Sequence, residues 1–171
     1  DPVLHGLQRR DARFVNTGMM VTLGGAVVSD GLENGEVVSG VGGQYNFVAQ
    51  AHELSGARSI ICIRATRGSG RSLRSNIVHH YGHITIPRHL RDIVVTEYGA
   101  ADLRGRSDEE IIKALIGIAY SRFQTELLEA ARQADKIDPD WEIPEAQRHN
   151  HPERIAGVLG AWRKRGYFPP F

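Results

Sequence analysis

The sequence predicts an α/β fold: an open, largely parallel sheet flanked by helices, with a C-terminal helical extension. Two continuous apolar runs of strand length, "SIICIRAT" (59–66) and "DIVVTEYG" (92–99), point to central strands buried on both faces. They alternate with segments of helical periodicity, the pattern of a parallel sheet with crossover helices. Near residue 135 the composition shifts to a proline-rich stretch without periodicity. The chain therefore divides into an α/β domain at 1–135 and an extended connection plus terminal helix at 136–171.

Each element follows in order. Residues 13–29, with "FVNTGMMVTLGGAVVS", hold apolar and β-branched residues in bursts too short for a helix, so they predict short strands broken at Gly24-Gly25. "DGLENGEVVSG" (30–40) is turn material followed by a brief strand. "YNFVAQAHEL" (45–54) spaces Phe47, Val48, Ala51 and Leu54 as one helix face, and Gly56 provides a C-terminal stop. "RGSGRSLRSN" (67–76) is a basic loop, and "NIVHHY" and "HITIP" read as two short strands. Ser107 with Glu110 three residues on is a capping box. The helix it opens carries Ile111, Ile112, Leu115, Ile116 and Ala119 on one face. A second helix, about 122–134, turns Phe123, Leu127, Leu128 and Ala131 inward. The last, in "PERIAGVLGAWRKRG", has Ile155, Val158, Leu159 and Trp162 on its apolar face.

A chain of 171 residues is one domain of ordinary size. Its net charge of +1 offers no electrostatic case for nucleic acid or an anionic membrane. No apolar run approaches the roughly 18–20 residues that span a bilayer. The N-terminus has neither a signal-peptide core nor an initiator methionine, so a processed chain or a piece of a longer one is expected. The lone cysteine, Cys62, forms no internal disulfide and points to a reducing, cytoplasmic setting.

Three glycines, Gly40, Gly42 and Gly43, crowd the loop before the 45–54 helix. A dinucleotide fingerprint needs G-x-G-x-x-G, and residue 45 is tyrosine. A triphosphate loop needs Gly-Lys-Ser/Thr at its end, which is missing. Two readings stay open: a tight turn that uses glycine for positive φ, or bare N–H groups that donate to a ligand oxygen gaining negative charge. Glu97 lies just past a buried strand, where open α/β sheets bind ligands; the competing reading pairs it with an arginine such as Arg104. His79, His80, His83, His89, His149 and His151 match no ligand spacing, so no metal site is expected. Cys62 reads as an inert core thiol. Arg67, Arg71 and Arg74 form either a solvated loop or a clamp for ligand phosphates.

"VNTGMMVTLGG" (15–25), "SGVGGQYNFV" (39–48) and "IPRHLRDIVVTEYGAADLRGRS" (86–107) together resemble the C-terminal domain of the acetyl-CoA hydrolase/transferase family, which includes acetate, succinate and 4-hydroxybutyrate CoA-transferases. The resemblance covers about residues 10–125. It implies a CoA-transferase-like fold and half of a two-domain ping-pong enzyme. In that family a glutamate attacks an acyl-CoA thioester, the CoA thiolate returns to the glutamyl carbonyl, and CoA passes to an acceptor acid. In the hydrolase variant water completes the reaction. The family's nucleophile precedes the matched part, and Glu33, Glu36 and Glu53 do not sit in its context, so the N-terminal domain is expected to supply it and this chain alone to be inactive. By the same resemblance Gly43 donates its amide to the thioester carbonyl, with Gly40, Gly42 and Gln44 shaping the loop. Glu97 takes the family's active-site glutamate position. Arg67 or Arg71 replaces a CoA-contacting lysine. Asn16 matches a recurring asparagine with no assigned role. Coenzyme A or acyl-CoA is then a substrate, no covalently bound cofactor is implied, and a small carboxylic acid is the second substrate. An exposed cut face would favour a homo-oligomer. The alternative is a non-catalytic CoA- or nucleotide-binding α/β module.

Overall fold

A computed structural model describes residues 1–167. In chain order these form α1 (Pro2–Gln8), β1 (Arg13–Thr17), β2 (Met20–Thr22), β3 (Val27–Val28), α2 (Gln44–Glu53), β4 (Arg58–Cys62), β5 (Thr66–Arg67), β6 (Arg74–Ser75) and β7 (Ile77–Val78). They continue with β8 (Ile93–Thr96), β9 (Gly99–Asp102), α3 (Asp108–Gly117), α4 (Ser121–Gln133) and α5 (Pro152–Lys164). The last four residues of the 136–171 stretch lie outside the described part.

The main sheet has the order β1-β4-β8-β9. Its first three strands are parallel, and β9 returns antiparallel along β8. This is the open, largely parallel sheet flanked by helices that the apolar runs predict. A second sheet, β3-β2-β7, joins the antiparallel pair β2–β3 to β7, which runs parallel to β2. The small ribbon β5–β6 carries the basic loop.

Strand register sorts the side chains by face. Ser59, Ile61 and Ile63 along and just beyond β4, with Val94 and Thr96 of β8 and Ala101 of β9, are buried. The core gathers there: Val48 of α2, Ile111, Ile112, Leu115 and Ile116 of α3, and Leu127, Leu128 and Ala131 of α4. Removing so much apolar surface from water is the main favourable term in folding. The alternate residues Ile60, Cys62, Ile93 and Val95 are only half-buried, and Val15 of β1 is 63% exposed. The central strands are thus covered on one face rather than both. Cys62 points to the half-open face and is not a core thiol.

Other local expectations shift for similar reasons. In α2 the buried residues are Gln44, Val48 and Ala51, while Phe47 is exposed and stacks on Phe14 of β1 with ring centroids 5.8 Å apart. "EVVSG" and "HITIP" each provide only a single bridge, Gly31 to Val37 and Val27 to Ile86. In α4 it is Gln124, not Phe123, that is buried; its amide donates to the carbonyls of Ile116 (3.0 Å) and Gln147 (2.9 Å). Ile137 and Ile143 of the connection are buried in the common core. The apolar residues of α5 are not: Val158 and Trp162 are 52% and 41% exposed.

Candidate functional site

Parallel β1, β4 and β8 bring their carboxyl ends to one edge of the sheet, the edge at which open α/β folds bind ligands. Three loops converge there. Gln44, the first residue of α2, sends its Nε2 to the carbonyl of Thr17 at 3.0 Å and so pins the helix start to the end of β1. The chain beyond β4 offers the Ala65 N–H, which donates to Glu97 Oε2 at 2.8 Å. Beyond β8, the Thr96 hydroxyl donates to the Ile118 carbonyl at 2.7 Å and accepts from the Tyr98 N–H at 3.1 Å, fixing the turn that presents Glu97.

Glu97 is exposed at this edge and is not paired with Arg104. Because β9 runs back along β8, it carries Arg104 to the opposite edge. There Arg104 donates to Asp92 and to the carbonyls of Ala51 and Ala57. Tyr98 stacks on Tyr120 at 6.1 Å between centroids. Burial, and then the neighbouring Glu97 carboxylate, push its hydroxyl pKa up to about 12; the phenol is neutral at any physiological pH.

In the glycine loop the three positions differ. Gly42 has φ +57, where other residues are strained. Gly43 caps α2 with φ −89, and a Cβ built there would meet only the Phe47 ring, at 3.4 Å. Gly40 is outside the left-handed region, and its Cβ would meet nothing within 4 Å. Neither conformation nor crowding inside this chain calls for glycine at 40 or 43. Among the described residues the Gly43 N–H donates no hydrogen bond. Among the described residues Asn16 Nδ2 of β1 and Oε1 of Gln44, the residue after Gly43, are buried without partners, an uncommon condition for polar atoms.

The arginines separate. Arg67 donates through Nη1 to the Ser75 carbonyl (2.7 Å) and to Asn76 Oδ1 (2.9 Å) and lines a cavity of about 590 Å³ at the ends of β1 and β4. Arg71 sits in the turn Gly70–Ser72 at the exposed tip of the β5–β6 ribbon and does not line that cavity. Arg64, which sequence reasoning passed over, does line it, together with Met19, Met20, Leu32 and Tyr81. Among the described residues no three His, Cys, Asp or Glu side chains converge on a point that could hold a metal ion, and no helix is long and apolar enough to cross a membrane.

Comparison with known proteins bears on the family and the fold. The chain is 36% identical over 115 residues to the 4-hydroxybutyrate coenzyme A transferase of Clostridium kluyveri, covering 67% of this chain and 27% of that protein. It is 34% identical over 122 residues to the probable butyrate:acetyl-CoA coenzyme A-transferase of Syntrophomonas wolfei, covering 70% and 27% respectively. The crystal structure of RipA from Yersinia pestis superposes with a TM-score of 0.70 at 33% identity, over 80% of this chain and 30% of RipA. The chain therefore spans just over a quarter of the length of these curated relatives. Residues 4–131 match the acetyl-CoA hydrolase/transferase C-terminal domain, and the chain belongs to that family.

Proposed function

We propose that this chain forms the C-terminal half of a cytoplasmic acyl-CoA:acid CoA-transferase or acyl-CoA hydrolase and builds one wall of its thioester pocket. The observation that carries the reading is Gly43: a glycine that neither backbone conformation nor crowding requires, whose N–H at the start of α2 has no acceptor among the described residues. A side chain there would stand between that amide and an approaching carbonyl. The names of the relatives add the substrate class, a CoA thioester and a small carboxylic acid.

In the proposed reaction a carboxylate from the rest of the enzyme attacks the thioester carbonyl carbon. The carbonyl oxygen gains negative charge, and the Gly43 amide, reinforced by the dipole of α2, donates to it. The C–S bond breaks, CoA leaves as the thiolate, and an acyl-glutamyl anhydride remains. Glu97, held at the same edge by the Ala65 N–H, flanks the reacting centre. Arg67 and Arg71 are the candidates for CoA phosphates, with Arg71 at the exposed tip the better placed for a solvated group. Transferase and hydrolase differ in whether acid or water takes the second step.

The test is steady-state exchange of CoA between acids by the full-length protein. Gly43→Val fits the local backbone, since φ −89 suits any residue, and should lower kcat by about 10²- to 10³-fold, as loss of one oxyanion donor does. Glu97→Ala should lower it as well. Unchanged turnover in both variants would remove the site assignment.

A further inference from the structure

Resting on that reading for the identity of the reaction, we infer that the cavity at the ends of β1 and β4 receives the acyl chain of an acid bearing a second carboxylate, and that Arg64 holds that carboxylate. The cavity, about 590 Å³, is of ordinary ligand-site size. Met19, Met20, Leu32 and Tyr81 supply an apolar wall for a short aliphatic chain. Arg64, an exposed residue, stands in that wall, and its guanidinium makes no hydrogen bond or ion pair among the described residues. Arg58, Arg91, Arg104 and Arg148, by contrast, each meet a carboxylate. A planar guanidinium offers five donors in a fork that matches a carboxylate in a bidentate pair.

The backbone beneath Arg64 is built to stay in place. Asn76, only 6% exposed, donates from Nδ2 to the Arg64 carbonyl at 2.9 Å and accepts from Arg67 Nη1 at 2.9 Å. Its own N–H reaches the Ala65 carbonyl at 2.9 Å, and its carbonyl receives the Val21 N–H at 2.9 Å. One buried amide thus ties both arginine positions to β2 and to the residue that grips Glu97. The cavity connects to the reacting edge through its wall: Thr17, which lines it, accepts from Gln44 Nε2 next to Gly43, and Arg64 directly precedes Ala65, whose N–H holds Glu97. Arg67 has committed one nitrogen to Ser75 and Asn76, which leaves Arg64 as the fully available donor. A strongly hydrated phosphate is better matched by the solvated ribbon tip, and a carboxylate on a short carbon chain by a guanidinium set among methionines and leucine.

The experiment uses the full-length protein, acetyl-CoA as donor, and two four-carbon acceptors, succinate and butyrate, that differ in one carboxylate. The wild type should favour succinate in kcat/KM. Arg64→Ala should reduce the succinate-to-butyrate ratio at least tenfold through the KM for succinate, and Arg64→Lys should restore part of it. An unchanged ratio overturns the assignment, whether both acids are unaffected or both fall together. A rise in the KM for acetyl-CoA with either acceptor overturns it too, by placing Arg64 on a CoA phosphate. If the wild type transfers CoA to neither acid, the CoA-transferase reading fails by itself, and calorimetric binding of succinate still decides the subsite. At least tenfold weaker binding to Arg64→Ala supports it, and equal binding overturns it. The melting temperature should stay near that of the wild type in both variants, because the Arg64 side chain holds no other part of the described fold.

Discussion

Asp92, whose side chain is 1% exposed, shows what holds the amino edge of the sheet together. It accepts from Arg58 Nε at 2.8 Å, from the Ser59 N–H at 2.6 Å and from Arg104 Nη2 at 2.5 Å. Arg104 continues to the carbonyls of Ala51 and Ala57, so one carboxylate links α2, β4, β8 and the chain past β9. Removing it leaves the Arg104 guanidinium without an acid and the buried Ser59 N–H without a partner, while Arg58 keeps Asp102 at 2.5 Å. Loss of one partner of a buried pair costs roughly 3–5 kcal/mol. Arg58 and Arg104 are 25% and 33% exposed and can rehydrate in part, so the lower end applies. Asp92→Ala should cost about 3 kcal/mol, seen in thermal unfolding as a fall of roughly 10 °C. A change under about 2 °C would show that the network is dispensable. This cluster was not legible in the sequence. Residues 58, 92 and 104 meet only because β9 reverses direction, and that same reversal withdraws Arg104 from Glu97. Arg64 was hidden for a related reason: a sequence does not reveal which arginines are left without acids.

At the scale of elements, α3 was the most legible, because its signals are local. Ser107 and Glu110 form both bonds of the capping box, Ser107 N to Glu110 Oε2 at 2.8 Å and Glu110 N to Ser107 Oγ at 3.3 Å. By contrast, β9 reads "GAAD", poor in β-formers, and is a strand only because β8 pairs with it. The first turn of α3 also makes the fold sensitive to acid. Asp108 lies 3.0 Å from Arg91 and 3.2 Å from Arg88, and the hydrogen bond from Arg91, above all, lowers its pKa. Asp30 is lowered too, by the Thr85 hydroxyl and then by His83, whose Nε2 is 2.9 Å away. A carboxyl with a depressed folded pKa stabilises the fold above its unfolded pKa, and that contribution disappears as pH falls through the folded value. Stability should therefore be insensitive to these two groups near neutrality and decline from about pH 5 downward. Urea midpoints measured between about pH 5 and pH 3 should fall less steeply for Asp108→Asn than for the wild type. Identical slopes would mean that Asp108 is not linked to folding.

At the scale of the molecule, the α/β class and the parallel order were legible because continuous apolar runs mark central strands. The half-open second face was not, since an apolar run has the same letters whether both faces are covered by this chain or one awaits another. Around the glycine loop Val37, Val38, Val41, Tyr45 and Phe47 are exposed together, a clustering that soluble surfaces rarely leave uncovered. Two of the carboxylates nearby already hold backbone groups: Glu97 holds the Ala65 N–H, and Glu33 accepts from the Gly82 N–H at 2.7 Å. In the proposed reading this chain supplies the wall of the pocket and the attacking carboxylate comes from the rest of the enzyme. Residues 1–171 alone should bind substrate weakly and show no CoA exchange above the uncatalysed rate, whereas the full-length protein turns over. The comparison is made with equal molar amounts, one acyl-CoA donor and one acid acceptor. Exchange by residues 1–171 at enzymatic rates would place the nucleophile within this chain and make Glu33, Glu36, Glu53 and Glu97 the carboxylates to replace one at a time.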